Sequence, residues 1–472
     1  MSRVTGIVAR QRRGGAGDRR RDVRTVFRAP VAPLDVLWSY RRRPATDLNI
    51  LKATRAAIVW RRVEGRDTAP IVLRYLRWLR LPKLVIAALA KEGAGTRSLF
   101  GRSLFGQLSD MVRVAIANGL SPKDYYFAGL ARYGGGEEIF GYVPAELTGS
   151  LMRHLSREAG AATVASIKDK AAFERRCRNA GLRVVRTVAI ASDAELRTPT
   201  GETFLGRLPD RDLILKPITG GGGRGIEGWQ SVGEDRFRGR NGAILSSDGL
   251  AAQALSLANV WRLALLIQDR VVNHEDLRPI AGNALATTRI VTVFNEAGEP
   301  EIVDSFFRTS ILAEAAVDNF HAGGVLFPID IKTGALQPGM TDTAYDGRMV
   351  ARHPQTGDVV AGRVHPGWQA MAGFALRLHR LFPDMVMPGW DIGFDADGPI
   401  AVEGNETPRF SLNRQSTFGG LVGSRAHALL AFHAEKWLAA NEPEGSRWRV
   451  PMGRAQAASA TRRSPSSSTL SP

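Results

Sequence analysis

The segment LILKPITGGGGRGIEG, residues 213–228, constrains the fold of this chain more than any other feature. Five of the six residues from Gly220 to Gly225 are glycine, and Lys216 lies in the apolar run before them. Glycine is used where the backbone adopts positive φ or approaches another group closely. The segment therefore predicts a loop whose backbone lies against a ligand.

Three kinds of glycine loop bind phosphate groups, and the flanking residues distinguish them. A P-loop requires GxxxxGK[ST], but the dipeptide Ile-Glu follows Gly225. Gly220, Gly222 and Gly225 match the dinucleotide fingerprint GxGxxG, yet that fingerprint opens a helix, whereas GIEGWQSV alternates like a strand. A glycine-rich hairpin between antiparallel strands, with its amides over the phosphates of a nucleotide, fits the flanks. Lys216 on the preceding strand would add a point charge.

A second segment, GWDIGFDADGPIAVEGN, supplies the hard oxygen ligands that accompany a triphosphate. Asp391 lies on one predicted strand, and Glu403 and Asn405 lie on the next, after an Asp-Ala-Asp-Gly turn. Glu403 and Asn405 share a face because strand side chains alternate, and a tight hairpin brings Asp391 beside them. Two carboxylates and an amide oxygen can hold one or two Mg²⁺ ions, or the similar Mn²⁺, against phosphate oxygens.

The rest of the pattern mixes helices with short strands. Residues 100–180 are predicted to be helical, with one helix starting at Ser121-Pro122 and another, within residues 163–182, closed by Gly181. From residue 183, short apolar or alternating runs between turn residues predict strands. Helices are predicted among them at 247–259, 368–382 and 426–440. The pattern indicates an α+β protein.

Composition and charge narrow the functional class. The chain is 44% hydrophobic and 23% charged, which is typical of a globular protein, and its single cysteine, Cys177, excludes an intrachain disulfide and is expected to be a core thiol. Residues 1–100 hold 23 Lys and Arg against 7 Asp and Glu, so they carry +16 of the formal +18 charge. This basic region fits either a solvated helical face or peripheral contact with an anionic membrane. It carries no nucleic-acid-binding signature, so no nucleic-acid partner is expected.

The location is expected to be cytoplasmic, with membrane association through the basic region as an alternative. No uninterrupted apolar stretch reaches the length of a membrane span, and the N-terminus has arginines in place of the apolar core of a secretory signal.

Together these motifs resemble the ATP-grasp superfamily. The resemblance lies in Lys170 after an Asp at a helix start, Lys216 in Leu-Lys-Pro before the glycine loop, and Asp391 with the triplet from Glu403 to Asn405. With YYFAGLARYGG, DNFHAGGVLFPIDIKTG and GWDIGF, the chain most resembles the sugar-transfer associated ATP-grasp family, related to α-L-glutamate ligases, over roughly residues 100–435. This resemblance implies an ATP-grasp fold, in which two α+β subdomains clasp ATP, preceded by a helical, basic N-terminal region.

The resemblance also implies a domain organisation. A disordered basic arm would cover residues 1–30 and a helical region residues 31–165. The first subdomain with the glycine-rich loop would cover 166–267, the second subdomain with the metal site 268–440, and a disordered tail 441–472.

The roles of individual residues follow from the same resemblance. Lys170 and Lys216 would contact the α and β phosphates. Arg289 would neutralise the transferred phosphoryl group, or else form a structural salt bridge, and Asn319 would line the acceptor site or shape a turn. The nucleotide would be covered by the loop residues Gly220, Gly221, Gly222, Gly223 and Gly225. At the hinge, Gln268 would stand where an adenine-binding acid is common, and its amide oxygen can still accept from the adenine amino group. The adenine edge would face the backbone of Asp269, Arg270 and Val271, and Glu275 would hold the ribose hydroxyls.

The implied activity is an ATP- and Mg-dependent carboxylate-amine ligase that forms ADP. A small carboxylate would be activated as an acyl phosphate and attacked by a small amine, with Arg289 and Lys216 as catalytic residues. The family name suggests a link to polysaccharide biosynthesis. The alternatives are a kinase of a small hydroxyl substrate and a non-enzymatic ATP-binding protein at the membrane periphery.

Overall fold

The computed structural model describes residues 51, 54, 79–192, 195–220, 225–281, 284–310, 324–341, 349–408 and 419–441. The basic arm and the tail after residue 441 lie outside the described residues. The predicted domain boundaries therefore stay predictions, and the architecture is given by its helices and sheets.

The N-terminal described part is helical, as predicted. Its elements are α1 (Leu81–Phe100), α2 (Leu104–Asn118), α3 (Pro122–Phe127), two 3-10 helices (Leu130–Tyr133 and Glu137–Gly141), α4 (Ala145–Lys168) and α5 (Lys170–Asn179). The predicted start at Ser121-Pro122 is confirmed, because the Ser121 hydroxyl accepts a hydrogen bond from the Asp124 amide and Pro122 opens α3.

The helix predicted within residues 163–182 is observed, and it starts after Asp169, as the sequence indicated. Asp169 has extended backbone and caps the helix, because its carboxylate accepts hydrogen bonds from the amides of Ala171 and Ala172, both at 2.9 Å. Lys170 is therefore the first residue of α5. The predicted stop is nearly correct, since α5 ends at Asn179 and Gly181 has a φ of 70°.

The first sheet is antiparallel and has seven strands in the order β2-β1-β7-β3-β4-β5-β6. Its strands are β1 (Thr187–Ser192), β2 (Glu195–Arg197), β3 (Leu213–Pro217), β4 (Glu227–Ser231), β5 (Arg236–Gly239), β6 (Ile244–Ser246) and β7 (Leu265–Asp269), with helix α6 (Ser247–Trp261) between β6 and β7. Leu213, Leu215, Leu265 and Ile267 form one core with α6. Because side chains alternate, Lys216 lies on the opposite face.

The second sheet is also antiparallel and has six strands in the order β11-β10-β9-β8-β12-β13. The elements of this part are a 3-10 helix (Glu275–Leu277), α7 (Arg278–Ala281), β8 (Thr287–Phe294), β9 (Pro300–Ser310), β10 (Gly324–Pro328), β11 (Met340–Thr341), α8 (Trp368–Arg380), β12 (Gly389–Asp395), β13 (Gly398–Asn405) and α9 (Arg425–Asn441). The predicted hairpin of β12 and β13 is confirmed, with Asp391 paired to Glu403.

Each face of the second sheet has its own apolar core. Ile290, Trp390 and Ile392 belong to one core with α8. On the other face, Val291 and Phe306 belong to a core that includes Phe127 and Val143 of the N-terminal part and side chains of α9. The N-terminal helices therefore cover the face of the sheet that also carries Arg289, two residues from Val291 on the same strand.

Two chain segments connect the sheets, and both are attached to the β12–β13 hairpin. In the first segment, Val184 forms a parallel bridge with Ala401, and the Arg183 guanidinium contacts both carboxylate oxygens of Asp395 at 3.0 and 2.9 Å. In the second, the His274 amide donates to the Phe394 carbonyl at 2.8 Å. The hairpin therefore contacts both connecting segments and so helps to fix the position of one sheet relative to the other.

We expect the aromatic side chains at the centre of the α8 core to contribute strongly to the free energy of unfolding. Phe382 is fully buried, with ring centroids 5.7 Å from Phe173 and 5.4 Å from Trp390. Phe382→Ala should lower the free energy of unfolding by about 3–5 kcal/mol because it leaves a cavity. Phe105→Ala is the control, since Phe105 is 79% exposed. Urea unfolding measures both variants, and equal stability of the two would contradict this packing.

Candidate functional site

Lys216 and the glycine loop lie at the same end of the first sheet. Lys216 is 6% exposed and pairs with Leu266 of β7, and the chain leaves β3 one residue later. Gly220 has a φ of 112° and Gly225 a φ of 74°, which other residues rarely adopt. A Cβ atom at Gly225 would lie 2.7 Å from the Trp261 ring, so a side chain is excluded there for a second reason. Gly221, Gly222 and Gly223 lie outside the described residues.

Lys170 joins the glycine loop to the second sheet. The Lys170 amide donates to the Ile218 carbonyl at 3.1 Å, which places the start of α5 beside the loop. Its ammonium group donates to the Gly220 carbonyl at 3.1 Å and lies 3.8 Å from a carboxylate oxygen of Glu403. Because Asp169 caps α5, the Lys170 ammonium group is positioned between the two sheets.

Asp391 is the centre of the charged cluster on the second sheet. It is 2% exposed, and it pairs with Arg289 across β8 and with Glu403 across β13. Arg289 binds both carboxylate oxygens, with the Nη2–Oδ2 distance at 2.7 Å, and Arg308 of β9 lies 2.9 Å from Oδ2. The predicted salt-bridge alternative for Arg289 is therefore present in this structure, with Asp391 as its partner.

The charges in this cluster shift one another's pKa values. Burial acts to raise the pKa of Asp391, but the guanidinium groups of Arg289 and Arg308 outweigh it and hold that pKa well below its usual value. Burial and the neighbouring Asp391 carboxylate raise the pKa of Glu403, while Lys170 and Lys216 act to lower it. The two carboxylates thus differ, because the arginines compensate Asp391 more fully than the lysines compensate Glu403.

Lys216 is a buried cation that is incompletely compensated. Its pKa is lowered to about 8, mainly because the group is buried; the Glu403 carboxylate acts to raise this pKa, and the Lys170 ammonium group acts to lower it. Among the described residues no hydrogen bond or ion pair reaches its ammonium group. Such a group is suited to a polyanionic ligand that enters between the sheets.

The end of β13 offers donor atoms suited to a divalent cation. The amide oxygen of Asn405 is the atom of this side chain that could bind a cation; its amide nitrogen, which could not, is buried without a hydrogen-bond partner among the described residues. Glu403 lies on the same face, with Lys170 as its ion-pair partner. Two carboxylates and an amide thus fit Mg²⁺ in the type of their donor atoms. A group of three or more His, Cys, Asp or Glu side chains that could hold a metal does not occur in the described part of the chain.

A cavity of about 620 Å³ adjoins the second connection between the sheets. Its wall includes the predicted hinge residues Asp269, Arg270, Val271 and Glu275, together with Ile400 of β13. The amides of Asp269 and Arg270 donate to the carbonyls of Arg186 and Asp212, both at 3.0 Å. The backbone amides of these two residues are therefore not free to donate to a ligand.

Gln268 is held by a buried network that the sequence did not reveal. Its side-chain amide nitrogen donates to the Thr187 hydroxyl at 2.9 Å, and this hydroxyl donates to the Glu174 carboxylate. The Thr187 amide also donates to Glu174, at 3.1 Å. Because the amide nitrogen is engaged, the amide oxygen is the atom left to accept a hydrogen bond, and its predicted contact with the adenine amino group stays a prediction.

Other predicted residues lie elsewhere. Asn319 lies outside the described residues. Cys177 is a fully buried core residue, and burial raises the pKa of its thiol to about 12, so it is present as an unreactive thiol.

Arg308 is the charged residue of the cluster that sequence reasoning missed. It lies in PEIVDSFFRTS, a run otherwise suited to a buried strand. Arginine is rarely buried without a partner, so its place in an apolar strand was the available signal. Glu406 was missed as well: it is 6% exposed and lies 2.8 Å from the ammonium group of Lys168 at the end of α4.

Two features now define the class of protein: a glycine loop with a buried lysine on one sheet, and a cluster of carboxylates and arginines on the other. The chain matches the model of the sugar-transfer associated ATP-grasp family over residues 154–422, more than half of its 472 residues. It belongs to this family and is thus a member of the ATP-grasp superfamily of ATP-binding enzymes. The ATP-grasp fold predicted from the sequence is confirmed.

Solved structures of ligases are among those similar to this chain. D-cycloserine synthetase is 14% identical, with 58% of this chain and 71% of that chain covered and a TM-score of 0.33. The L-amino acid ligase from Bacillus licheniformis is 9% identical, with 57% and 49% covered and a TM-score of 0.33. The D-alanine-D-alanine ligase from Coxiella burnetii is 10% identical, with 59% and 61% covered and a TM-score of 0.32.

The chain thus spans about half the length of the L-amino acid ligase. No curated protein matches the chain. None of the described helices is long and apolar enough to cross a membrane.

The buried ammonium group of Lys216 should destabilise the protein in the absence of ligand. Its pKa of about 8 lies below the usual 10.5, so the unfolded chain binds more protons between these values and stability should rise with pH there. Below pH 8 the shift corresponds to about 3 kcal/mol. Lys216→Met should therefore raise the Tm at pH 7, with a gain that shrinks towards pH 10. Lys332→Met, at an exposed site, is the control, and an unchanged or lowered Tm of Lys216→Met at pH 7 would contradict this.

Proposed function

We propose that this protein is an ATP- and Mg-dependent ligase that activates a small carboxylate as an acyl phosphate and joins it to an amine with release of ADP. The observation that carries the proposal is the convergence of Lys216 from the first sheet, Lys170 from α5 and Arg289 from the second sheet around Glu403 and Asp391. Membership of the ATP-grasp superfamily supports ATP as the nucleotide. An L-amino acid ligase and a D-alanine-D-alanine ligase are among the similar structures, and ligase chemistry is proposed for the present chain.

The nucleotide would lie between the sheets. Lys170 and Lys216 would contact its α and β phosphates, and the loop from Gly220 to Gly225 would cover its β and γ phosphates. The base would occupy the cavity beside Asp269, Arg270 and Val271, with Gln268 accepting from its amino group and Glu275 holding the ribose hydroxyls. Ile400 supports this placement of the base, since it lies in the cavity wall on the strand that also carries Glu403.

The chemistry requires two anions to meet. A carboxylate oxygen attacks the γ-phosphorus, the bond to the β–γ bridging oxygen breaks, and ADP leaves. Arg289 would offset the charge of the transferred group, and its pairing with Asp391 fixes the direction of its guanidinium beforehand. Mg²⁺, held by Glu403, Asn405 and Asp391, would supply charge neutralisation at the phosphate oxygens.

The second half-reaction needs no further nucleotide. An amine attacks the acyl carbon, the carbon–oxygen bond to the phosphate breaks, and inorganic phosphate leaves with one oxygen of the original carboxylate. A closed glycine loop would keep water from hydrolysing the acyl phosphate first.

The test follows the carboxylate oxygen. The protein is incubated with Mg·ATP, a panel of ¹⁸O-labelled amino acids and uronic acids, and hydroxylamine as a general nucleophile. We expect ADP release that depends on one of the acids, a hydroxamate product, and ¹⁸O in the released phosphate. Lys332→Met should keep this activity, and Glu403→Gln should lose it. Transfer of phosphate to a hydroxyl group, with no ¹⁸O in free phosphate, would instead establish the kinase alternative.

Other expectations from the sequence remain proposals. A role in polysaccharide biosynthesis is suggested by the family description alone. Peripheral membrane contact stays an expectation from the +16 charge of residues 1–100. The cytoplasmic location likewise stays an expectation.

A further inference from the structure

A short turn in the helical N-terminal part carries Arg132 and Tyr133, and the proposed function gives it no role. It belongs to the YYFAGLARYGG motif and forms the 3-10 helix Leu130–Tyr133. Gly129 precedes this helix with a φ of 61°, and Gly134 follows it with a φ of 62°. Because these positive φ values favour glycine, the motif fixes where the turn begins and ends.

Arg132 is a cation without a carboxylate partner. Its Nη2 donates to the Tyr142 hydroxyl at 3.0 Å, and its guanidinium carbon lies 5.0 Å from the centre of the Tyr133 ring. In the described part of the chain it forms no ion pair. Arg102, in contrast, contacts both oxygens of the Asp110 carboxylate, at 2.9 and 2.8 Å. Arg132 is exposed, so an anion from solution can reach it.

The hydroxyl groups of Tyr133 and Tyr142 leave one hydrogen-bond donor free. They lie 2.8 Å apart. Tyr142 is 1% exposed and its hydroxyl accepts from Arg132, so among the described residues its own proton has only the Tyr133 oxygen as an acceptor. Burial raises the pKa of Tyr142, which keeps that proton in place. The proton of the half-buried Tyr133 is then left to donate to a ligand.

The buried side of this cluster is held by the protein before any ligand arrives. The backbone carbonyl of Tyr142 accepts from the side-chain amide of Asn118 at 2.6 Å, and Tyr142 belongs to the core of the helical part. Groups that are already held in place lose little side-chain entropy on binding. A guanidinium beside a free hydroxyl donor matches the geometry of a carboxylate or a phosphate.

The cluster lies where the helical part meets the second sheet. Val143, the residue after Tyr142, belongs to the same core as Leu421 and Val291. That core covers part of the face that carries Arg289. The cluster is thus joined through packed side chains to the face proposed to act on the substrate.

The chain that follows β13 passes beside the same cluster. A Cβ atom at Gly420 would lie 2.6 Å from the Gly141 carbonyl oxygen, so this close approach requires glycine. A Cβ atom at Gly419 would lie 3.7 Å from the Tyr133 hydroxyl, so the backbone of Gly419 is next to that hydroxyl. A substrate bound here would therefore contact both the helical part and the segment that follows the proposed metal site.

We propose that Arg132 and Tyr133 bind an anionic group, a carboxylate or a phosphate, of the substrate that the enzyme activates. The substrate would carry this group in addition to the carboxylate that reacts with ATP. The assignment to the substrate rests on the proposed function and deepens it, whereas the anion site itself does not depend on that function. Residues 130–142 precede the segment matched by the family model, so this site would add a specificity that the matched segment does not contain.

The first test detects anion binding at Arg132 and needs no knowledge of the substrate. Phenylglyoxal modifies arginine side chains, and peptide mass spectrometry gives the rate at each position. The native protein and Tyr133→Phe are modified with Mg²⁺ and a non-hydrolysable ATP analogue present, at increasing concentrations of inorganic phosphate or of acetate. Arg238 is the internal control, because it is exposed and forms no ion pair in the described part of the chain.

At least one of the two anions should slow the modification of Arg132 by about tenfold at saturation and leave that of Arg238 unchanged, since the anion would occupy the guanidinium. Protection by phosphate alone would identify a phosphate site, and protection by acetate a carboxylate site. Tyr133→Phe should raise the concentration for half-protection by about threefold or more, because one hydrogen bond is lost.

Equal rates at Arg132 with and without both anions, or equal slowing at Arg132 and Arg238, would overturn the inference and leave the proposed function intact. An Arg132 that does not react with phenylglyoxal at all would also overturn it, because the site must be open to a ligand. Unchanged half-protection in Tyr133→Phe would overturn the two-residue site.

The second test uses an acid that supports ADP release. Arg132→Gln should raise the KM for that acid by about tenfold or more and change kcat by less than about threefold, since the lost contact is made equally before and during the reaction. Arg132→Lys should recover part of the loss, and Arg238→Gln should behave like the native protein. An unchanged KM for the acid in Arg132→Gln would overturn the assignment to the substrate. If the native protein releases ADP with none of the acids, the proposed function fails, and the phenylglyoxal result still decides whether the anion site exists.

Discussion

A lysine from one sheet and two carboxylates from the other share one buried volume, and their charges must compensate one another. Lys216 is compensated in part by Glu403, and Asp391 is compensated by Arg289 and Arg308. Leaving such a group buried without compensation costs several kcal/mol. The mutual compensation therefore fixes which face of each sheet is turned towards the other.

The apolar cores of the two sheets lie on the faces that point away from the charged side chains. In the first sheet, α6 covers the face opposite Lys216, and in the second, α8 covers the face opposite Asp391. The N-terminal helices cover the rest of the charged face through Phe127 and Val143. The charged face is thus bounded by helices that precede the segment matched by the family model.

Local sequence signals predicted much of this arrangement. The β12–β13 hairpin was predictable because its turn is short and its strands alternate, and Lys216 was predictable because its neighbours in sequence are also its neighbours in space. The helix start at Lys170 was also predictable, because the Asp before it is a typical N-cap residue. The convergence of Arg308 on Asp391 was missed, because strand order in an antiparallel sheet is not encoded in any single segment.

The available polar atoms of the site could be predicted only in part, because long-range strand pairing is not encoded in a single segment. The donor atoms proposed for a metal follow from Glu403 and Asn405 sharing one face of a strand. The hydrogen bond between Gln268 and Thr187, by contrast, joins residues 81 positions apart and depends on the pairing of β1 with β7. Long-range pairing of this kind decides which polar atoms remain available for a ligand.

The central claim is that residues on two different sheets bind one nucleotide, and calorimetric titration with ATP tests it most directly. Titrations with and without Mg²⁺ are compared for the native protein, Lys216→Ala and Glu403→Ala. We predict Mg-dependent binding by the native protein that is weakened by about tenfold or more in each variant, since each removes a charged contact. A folded native protein that binds no ATP in the presence of Mg²⁺, or variants that bind it as well as the native protein does, would contradict the account.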